Sequence, residues 1–137
     1  GTLLFVAGRA MESRVLEAVA AAGFEDLTLA QARTLARVGE RGTRLTELAA
    51  QAQITKQSAQ HLVDQLERAG YVERAPDPSD GRARLVVLSR RARAAQEVAR
   101  RTEREVEDEW RAHLGDRPWR ELVGHLSRLR EVTDPWS

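Results

Sequence analysis

The sequence has no cysteine, which removes disulfides, thiolate zinc sites, iron–sulfur clusters, a thiol nucleophile and thiol-based redox sensing together. It also lacks any apolar run near the ~20 residues that span a bilayer, so no membrane partner is expected. Charge of one sign is missing too: 22 Lys+Arg face 21 Asp+Glu, interspersed rather than blocked, which argues against wholesale disorder and requires any basic surface to be local. Lysine is nearly absent, Lys56 being the single one. The remaining basic residues are arginines, suited to bidentate phosphate and base contacts but equally to salt bridges on helix surfaces. His61, His113 and His125 show no metal-ligand spacing, and there is no Gly-rich phosphate loop or Gly-x-Ser-x-Gly elbow. Neither an enzyme nor a bound cofactor is expected. Gly1 is followed directly by Leu3-Leu4-Phe5-Val6, too short and wrongly flanked for a signal peptide, which reads as a truncated or processed terminus of a cytoplasmic protein.

The 137 residues are one domain's worth of chain, and their periodicity is mostly helical. Leu4, Ala7, Met11, Val15, Ala18, Val19 and Ala22 recur at three- and four-residue steps, predicting a helix that stops at Gly23. Thr28 and Gln31 form a capping box for a second helix reaching about Val38. Thr46 is placed as the N-cap of a short third helix, and Thr55 as the cap of a fourth ending at Gly70. That fourth helix has Ala59, Leu62, Val63 and Leu66 on one face, and Gln57, Gln60, His61 and Asp64 on the other. Tyr71–Arg74 and Arg84–Leu88 read as two strands joined by a long loop, residues 75–83. Ser89 caps a long fifth helix carrying Ala95, Val98, Thr102, Val106, Trp110 and His113, and a last helix holds Trp119, Leu122, Val123, Leu126 and Leu129 on one stripe.

A helix-turn-helix followed by a hairpin is a winged helix, and the residues that build it resemble a known family. Leu45-Thr46-Glu47-Leu48-Ala49, Ile54-Thr55-Lys56-Gln57-Ser58, Leu62 through Arg74 including Leu66-Glu67-Arg68-Ala69-Gly70, Asp77-Pro78-Ser79-Asp80-Gly81-Arg82 and Val87-Leu88-Ser89 follow one another as in the MarR family of bacterial transcriptional regulators. The likeness runs from about residue 24 to 95. It departs at Gln53, where the family's turn has Gly, at Ser89 for Thr, and at Ala92 for Gly. The resulting expectation is a mainly α fold with a small β-hairpin wing: a winged helix-turn-helix over about 28–90, flanked by helical dimerisation regions at about 1–22 and 90–133, in a single domain over 1–137.

The DNA chemistry can be argued from side chains. An α-helix entering the ~12 Å major groove needs a polar face without bulky apolar groups, which Lys56, Gln57, Gln60 and His61 provide. Gln57 and Gln60 are candidates for bidentate pairing with adenine. Thr55 and Ser58 lie in the first turn, where hydroxyls and free N–H groups suit a phosphate, with Lys56 as the matching charge. Arg82 on the wing is a candidate for the minor groove. Arg74 and Arg84 fit either a phosphate contact or a surface ion pair. Asp80 repels DNA, and the resemblance implies that it positions the wing by pairing with Arg.

The apolar stripes of the terminal helices exceed what one small domain covers, predicting a two-fold homodimer on double-stranded DNA with half-sites about 10 bp apart. Trp110 and His113 line either an effector cavity between the dimer helices and the DNA-binding lobe or simply interface core. The resemblance implies a small anionic aromatic effector. Two other readings predict different behaviour: a winged helix that binds only protein, insensitive to salt, and a metal-responsive regulator using His113 or His125.

Overall fold

The computed structural model describes residues 1–136. Helices α1 (Thr2–Ala21), α2 (Leu29–Leu35), α3 (Leu45–Gln51), α4 (Lys56–Arg68), α5 (Arg90–Leu114) and α6 (Asp116–Thr133) accompany strands β1 (Thr43–Arg44), β2 (Val72–Asp77) and β3 (Asp80–Leu88). The strands form one antiparallel sheet in the order β1-β3-β2. The fold is mainly helical, with α3 and α4 as a helix-turn-helix and β2–β3 as its wing.

Local chemistry sets three of the six helix starts. Thr28 Oγ1 accepts the Gln31 N–H at 3.2 Å while Gln31 Oε1 accepts the Thr28 N–H at 3.1 Å, closing the expected capping box. Thr55 caps α4 through the Ser58 N–H at 3.0 Å, and Ser89 caps α5 through the Ala92 N–H at 3.2 Å. Thr46 is not a cap: α3 starts at Leu45 with Arg44 in the N-cap position and no side-chain bond. The reason is β1, invisible in the sequence pattern. Thr43 and Arg44 pair with Val86 and Leu85, holding the chain extended up to the residue before the helix.

Three helices end alike. Gly23, Gln53 and Gly70 adopt positive φ (106°, 55° and 79°), and the next N–H reaches back to a carbonyl five residues earlier, Phe24 to Val19, Ile54 to Ala49 and Tyr71 to Leu66, at 2.8–3.2 Å. Gln53 therefore holds the left-handed corner between α3 and α4 without being glycine. Gly42 is more constrained. At φ +90°, a Cβ added there would lie 3.0 Å from Val87 Cγ2, 3.1 Å from Leu85 Cβ and 3.2 Å from the Val86 carbonyl oxygen. Gly42→Ala should cost about 2 kcal/mol, from the unfavourable backbone plus the close contact with β3, measurable as a lowered urea midpoint with unchanged slope.

The wing differs from expectation. In place of a long loop over residues 75–83, β2 runs on to Asp77 and β3 begins at Asp80, leaving Pro78-Ser79 as the tip. Pro76 is tolerated because β2 is an edge strand, facing β3 alone in the register Pro76 to Arg84.

The core gathers Leu48, Val63, Leu66, Tyr71, Val72, Val86 and Leu88 beneath the helix-turn-helix, closed by Leu35 and Val38 on one side and by Val19, Ala92 and Ala95 of α1 and α5 on the other. Tyr71 is fully buried. Its hydroxyl donates to Asp26 Oδ1 at 2.5 Å, and the Arg91 guanidinium lies 4.2 Å from its ring centroid while also pairing with Asp26 at 3.2 Å. Burial, reinforced by the bond to Asp26, raises the Tyr71 pKa to about 12. The folded state then holds a proton that the unfolded chain releases near pH 10, so stability should fall by about 1.4 kcal/mol per pH unit between about pH 10 and 12. Tyr71 is the sole tyrosine. Phenolate absorbance against pH reads its titration directly, and Tyr71→Phe should flatten the alkaline loss of melting temperature.

α6 contributes no buried residue. It turns back along α5, and the Asp134 carboxylate that follows it meets Arg37 at 2.9 Å. Leu122, Val123, Leu126 and Leu129 remain 38–48% exposed, as do Leu3, Leu4, Phe5 and Val6 at the start of α1 to a greater degree.

Candidate nucleic-acid interface

α4 is two-faced. Ala59, Val63 and Leu66 are buried, while Lys56, Gln57, Ser58, Gln60 and His61 are exposed. Thr55 Oγ1, besides accepting the Ser58 N–H, donates to Ser58 Oγ at 2.9 Å, so the Thr55 proton is spent within the cap while the Ser58 hydroxyl can still donate outward. Lys56 and Gln57 lie in the first turn, whose N–H groups have no carbonyl one turn earlier within the helix. Such an end suits an anion, and it carries the chain's one lysine.

The polar face is not uniformly available. Asp64, which would repel a phosphate backbone, is paired with Arg74 at 2.7 Å and accepts Gln60 Nε2 at 2.9 Å. The Arg74 hydrogen bond holds its carboxyl below the usual carboxylate range. Arg74 also pairs with Glu67, so of its two expected roles it takes the ion pair and ties β2 to α4. Gln60 keeps its carbonyl and one amide hydrogen. Gln57 makes no side-chain hydrogen bond among the described residues, leaving its whole amide for a base edge. His61 Nε2 lies 3.1 Å from Gln65 Nε2, and Gln65 Oε1 accepts from Gln31 Nε2 at 3.2 Å.

On the wing, Arg82 and Arg84 are exposed on β3 and neither guanidinium pairs with an acid among the described residues. Asp80 Oδ1 accepts the Arg82 N–H at 3.1 Å, shaping the backbone that carries the guanidinium. Its expected ion pair is weak, since Asp80 Oδ2 is 4.0 Å from Arg44. The principal anchor is Asp77, missed in the sequence. It is buried, takes Arg44 at 2.7 Å, and accepts the Ser79 N–H and hydroxyl at 2.9 and 2.8 Å. These two Ser79 bonds, followed by Arg44, lower its pKa to about 2. The anchor therefore persists in all but strong acid. Asp-Pro-Ser is a turn signature that could have flagged Asp77; its partner 33 residues away left no local sign.

Two clefts accompany this surface. One of about 260 Å³ lies between α1, α2 and α5, lined by Val15, Leu16, Leu35 and Ala95 with Arg33 and Glu103 among its polar groups. Glu12 holds Arg33 at 2.7 Å there. The other, of about 610 Å³, is where Trp110 and His113 lie, with Leu3 and Leu4 of α1 and Trp119, Leu122 and Leu126 of α6. It belongs to the terminal helices, away from α4. Among the described residues no three His, Asp or Glu side chains gather as a metal site, and no helix is long and apolar enough to cross a membrane.

Comparison with known proteins follows the same division. Residues 25–83, from the turn before α2 to the wing, match the model of the MarR family. A MarR family protein of Mycobacterium tuberculosis, solved in complex with salicylic acid, is 29% identical with a TM-score of 0.65, over 93% of each chain. A transcriptional regulator of Thermotoga maritima is 24% identical with a TM-score of 0.66, over 98% of this chain and 93% of its own. FabT of Streptococcus pneumoniae, solved in complex with DNA, is 16% identical with a TM-score of 0.75, over 99% and 97%. No curated protein sequence matches.

Proposed function

We propose that the chain, whose residues 25–83 match the MarR family model, is a winged helix-turn-helix transcriptional regulator, a cytoplasmic homodimeric repressor that reads a near-palindromic operator and is released by a small-molecule effector. The observation carrying this reading is the exposed polar face of α4, with Gln57 unencumbered and Asp64 tied to Arg74, beside a wing whose Arg82 and Arg84 lack acid partners among the described residues. Gln57 and Gln60 read bases. Thr55, Lys56 and Ser58 hold a phosphate, His61 faces the groove floor, Arg82 enters the minor groove, Arg84 meets the backbone and Asp80 positions the tip. The lobe over about 28–90 does the reading, and the helical regions at about 1–22 and 90–133 assemble the dimer.

The large cleft with Trp110 and His113 is lined chiefly by terminal-helix residues that a second copy would cover, so those two residues serve the dimer seam at least as much as any effector. The smaller cleft between α1, α2 and α5 touches both parts of the molecule. A ligand there that binds better when the two α4 helices are mis-spaced for successive major grooves would release DNA. For the small anionic aromatic class, which the salicylic acid complex of the M. tuberculosis relative supports, the available cation is Arg33. Binding then exchanges one carboxylate partner, Glu12, for another.

Selection from random or genomic DNA fragments, followed by anisotropy titration of the winner at two salt concentrations, tests the reading. An enriched inverted repeat with affinity falling steeply as salt rises is the expected outcome. No enrichment, with salt-insensitive binding to protein partners, would establish the interaction-module alternative instead.

A further inference from the structure

The hydrogen bonds running from the start of α2 to the exposed face of α4 have a fixed polarity. The Thr28 backbone N–H can only donate, so the Gln31 atom it meets at 3.1 Å is the carbonyl oxygen. The Gln31 amide nitrogen is then the group facing Gln65, where it donates to Oε1 at 3.2 Å. That leaves Gln65 presenting its own amide nitrogen, a donor without a lone pair to share, to His61 Nε2 at 3.1 Å. A ring nitrogen receiving such a bond must carry the lone pair. The ring proton therefore sits on Nδ1, the opposite of the Nε2–H tautomer that a free imidazole side chain favours in water. Gln31 is 9% exposed while His61 is exposed, so the chain starts inside the fold and ends on the surface assigned to DNA.

We propose that Thr28, Gln31 and Gln65 fix His61 as an Nδ1–H donor, so that at its place in each half-site the protein selects a base edge offering an acceptor and rejects cytosine, the one base without one. Gln31 and Gln65 are positioning residues and touch no base themselves. The specificity half rests on the proposed reading by α4; the tautomer half does not. In the major groove guanine offers N7 and O6, adenine N7 and thymine O4 as acceptors, whereas cytosine offers only its N4 donor.

Gln31→Glu separates the two halves cleanly. A carboxylate still accepts the Thr28 N–H and preserves the capping box, but it cannot donate to Gln65. The Gln65 amide then turns its nitrogen toward Glu and its oxygen toward His61, whose proton moves to Nε2, and Nδ1 becomes an acceptor. Nitrogen-detected NMR of the histidine rings at about pH 8, above the ordinary histidine pKa of about 6.5, should show the Nδ1–H tautomer for His61 in the wild type. The Nε2–H form is expected in Gln31→Glu and in Gln65→Ala. Selection from random DNA with Gln31→Glu should move one position per half-site toward cytosine and away from guanine and thymine, by roughly 10-fold in preference, while adenine, with N7 as acceptor and N6 as donor, serves either tautomer. A wild-type Nε2–H tautomer, or one unmoved by both variants, overturns the inference. So does a switched tautomer with an unchanged base preference. A correct wild-type tautomer in a protein that selects no sequence at all refutes the proposed reading by α4, and the specificity half with it, while leaving the internal chain established.

Discussion

Arg82→Ala is expected to weaken operator binding by roughly 30- to 1000-fold. A dimer presents two wings, so two guanidinium contacts vanish together, each supplying about 1–2 kcal/mol. The salt dependence should change with it. Each neutralised phosphate contributes about −0.9 to the slope of log K against log salt, so losing one charge per wing should make that slope shallower by about 2. Arg82 is exposed and joins no acid among the described residues, so its removal should leave the melting temperature within about 1 °C. This separates it from Arg44, whose loss would free the buried Asp77 carboxylate and loosen the whole hairpin. Anisotropy titrations at several salt concentrations check both numbers. An affinity loss below about 3-fold with an unchanged slope would remove Arg82 from the interface.

Leu122→Glu combined with Leu126→Glu should turn the dimer into a monomer and lower operator affinity by on the order of 1000-fold. Both side chains are about 40% exposed on a helix that buries nothing of its own, and two-fold symmetry places each substitution at the seam twice. Covering the remaining exposed part of each leucine stabilises the dimer by about 0.5–1 kcal/mol, whereas an unpaired carboxylate at the seam costs several. A monomer grips one half-site and loses the gain from tethering a second reading helix at high local concentration. Analytical ultracentrifugation reports the mass, and circular dichroism should show the winged helix intact, since α6 lies outside its core. A variant that stays dimeric would place the seam elsewhere.

What the sequence revealed and what it hid divide by distance along the chain. Thr28, Thr55 and Ser89 were readable as caps because a cap involves a residue and an amide two or three positions on. Gly23 and Gly70 were readable as stops for the same reason, and so was the two-faced pattern of α4. Thr46 was misplaced because the true start of α3 is dictated by β1, whose partners lie about 40 residues later on β3. The wing strands were drawn too short because Pro76 and Pro78 suggest a loop, and nothing local says that β2 is an edge strand able to accept proline. Within the site, the outward residues of α4 followed from helical period. Their availability did not. Asp64 being satisfied by Arg74, Gln60 being half engaged, and Asp77 rather than Asp80 holding the wing all depend on charged side chains brought together by folding, and arginines outnumber any rule that could pair them in advance.

The scarcity of lysine has a practical side. Lys56, the first residue of α4, carries the one side-chain primary amine in the sequence, and it stands where a nucleic acid would shield it. An amine-acylating reagent therefore has two addresses on this chain, the α-amino group and Lys56. The yield of singly and doubly acylated protein by mass spectrometry becomes an occupancy meter for the reading helix, needing neither a label nor an engineered residue. The same arithmetic works in reverse: attaching the protein to a surface through its amines would tether a fraction of the molecules by the face that has to meet DNA, whereas coupling through its many carboxylates would leave that face clear.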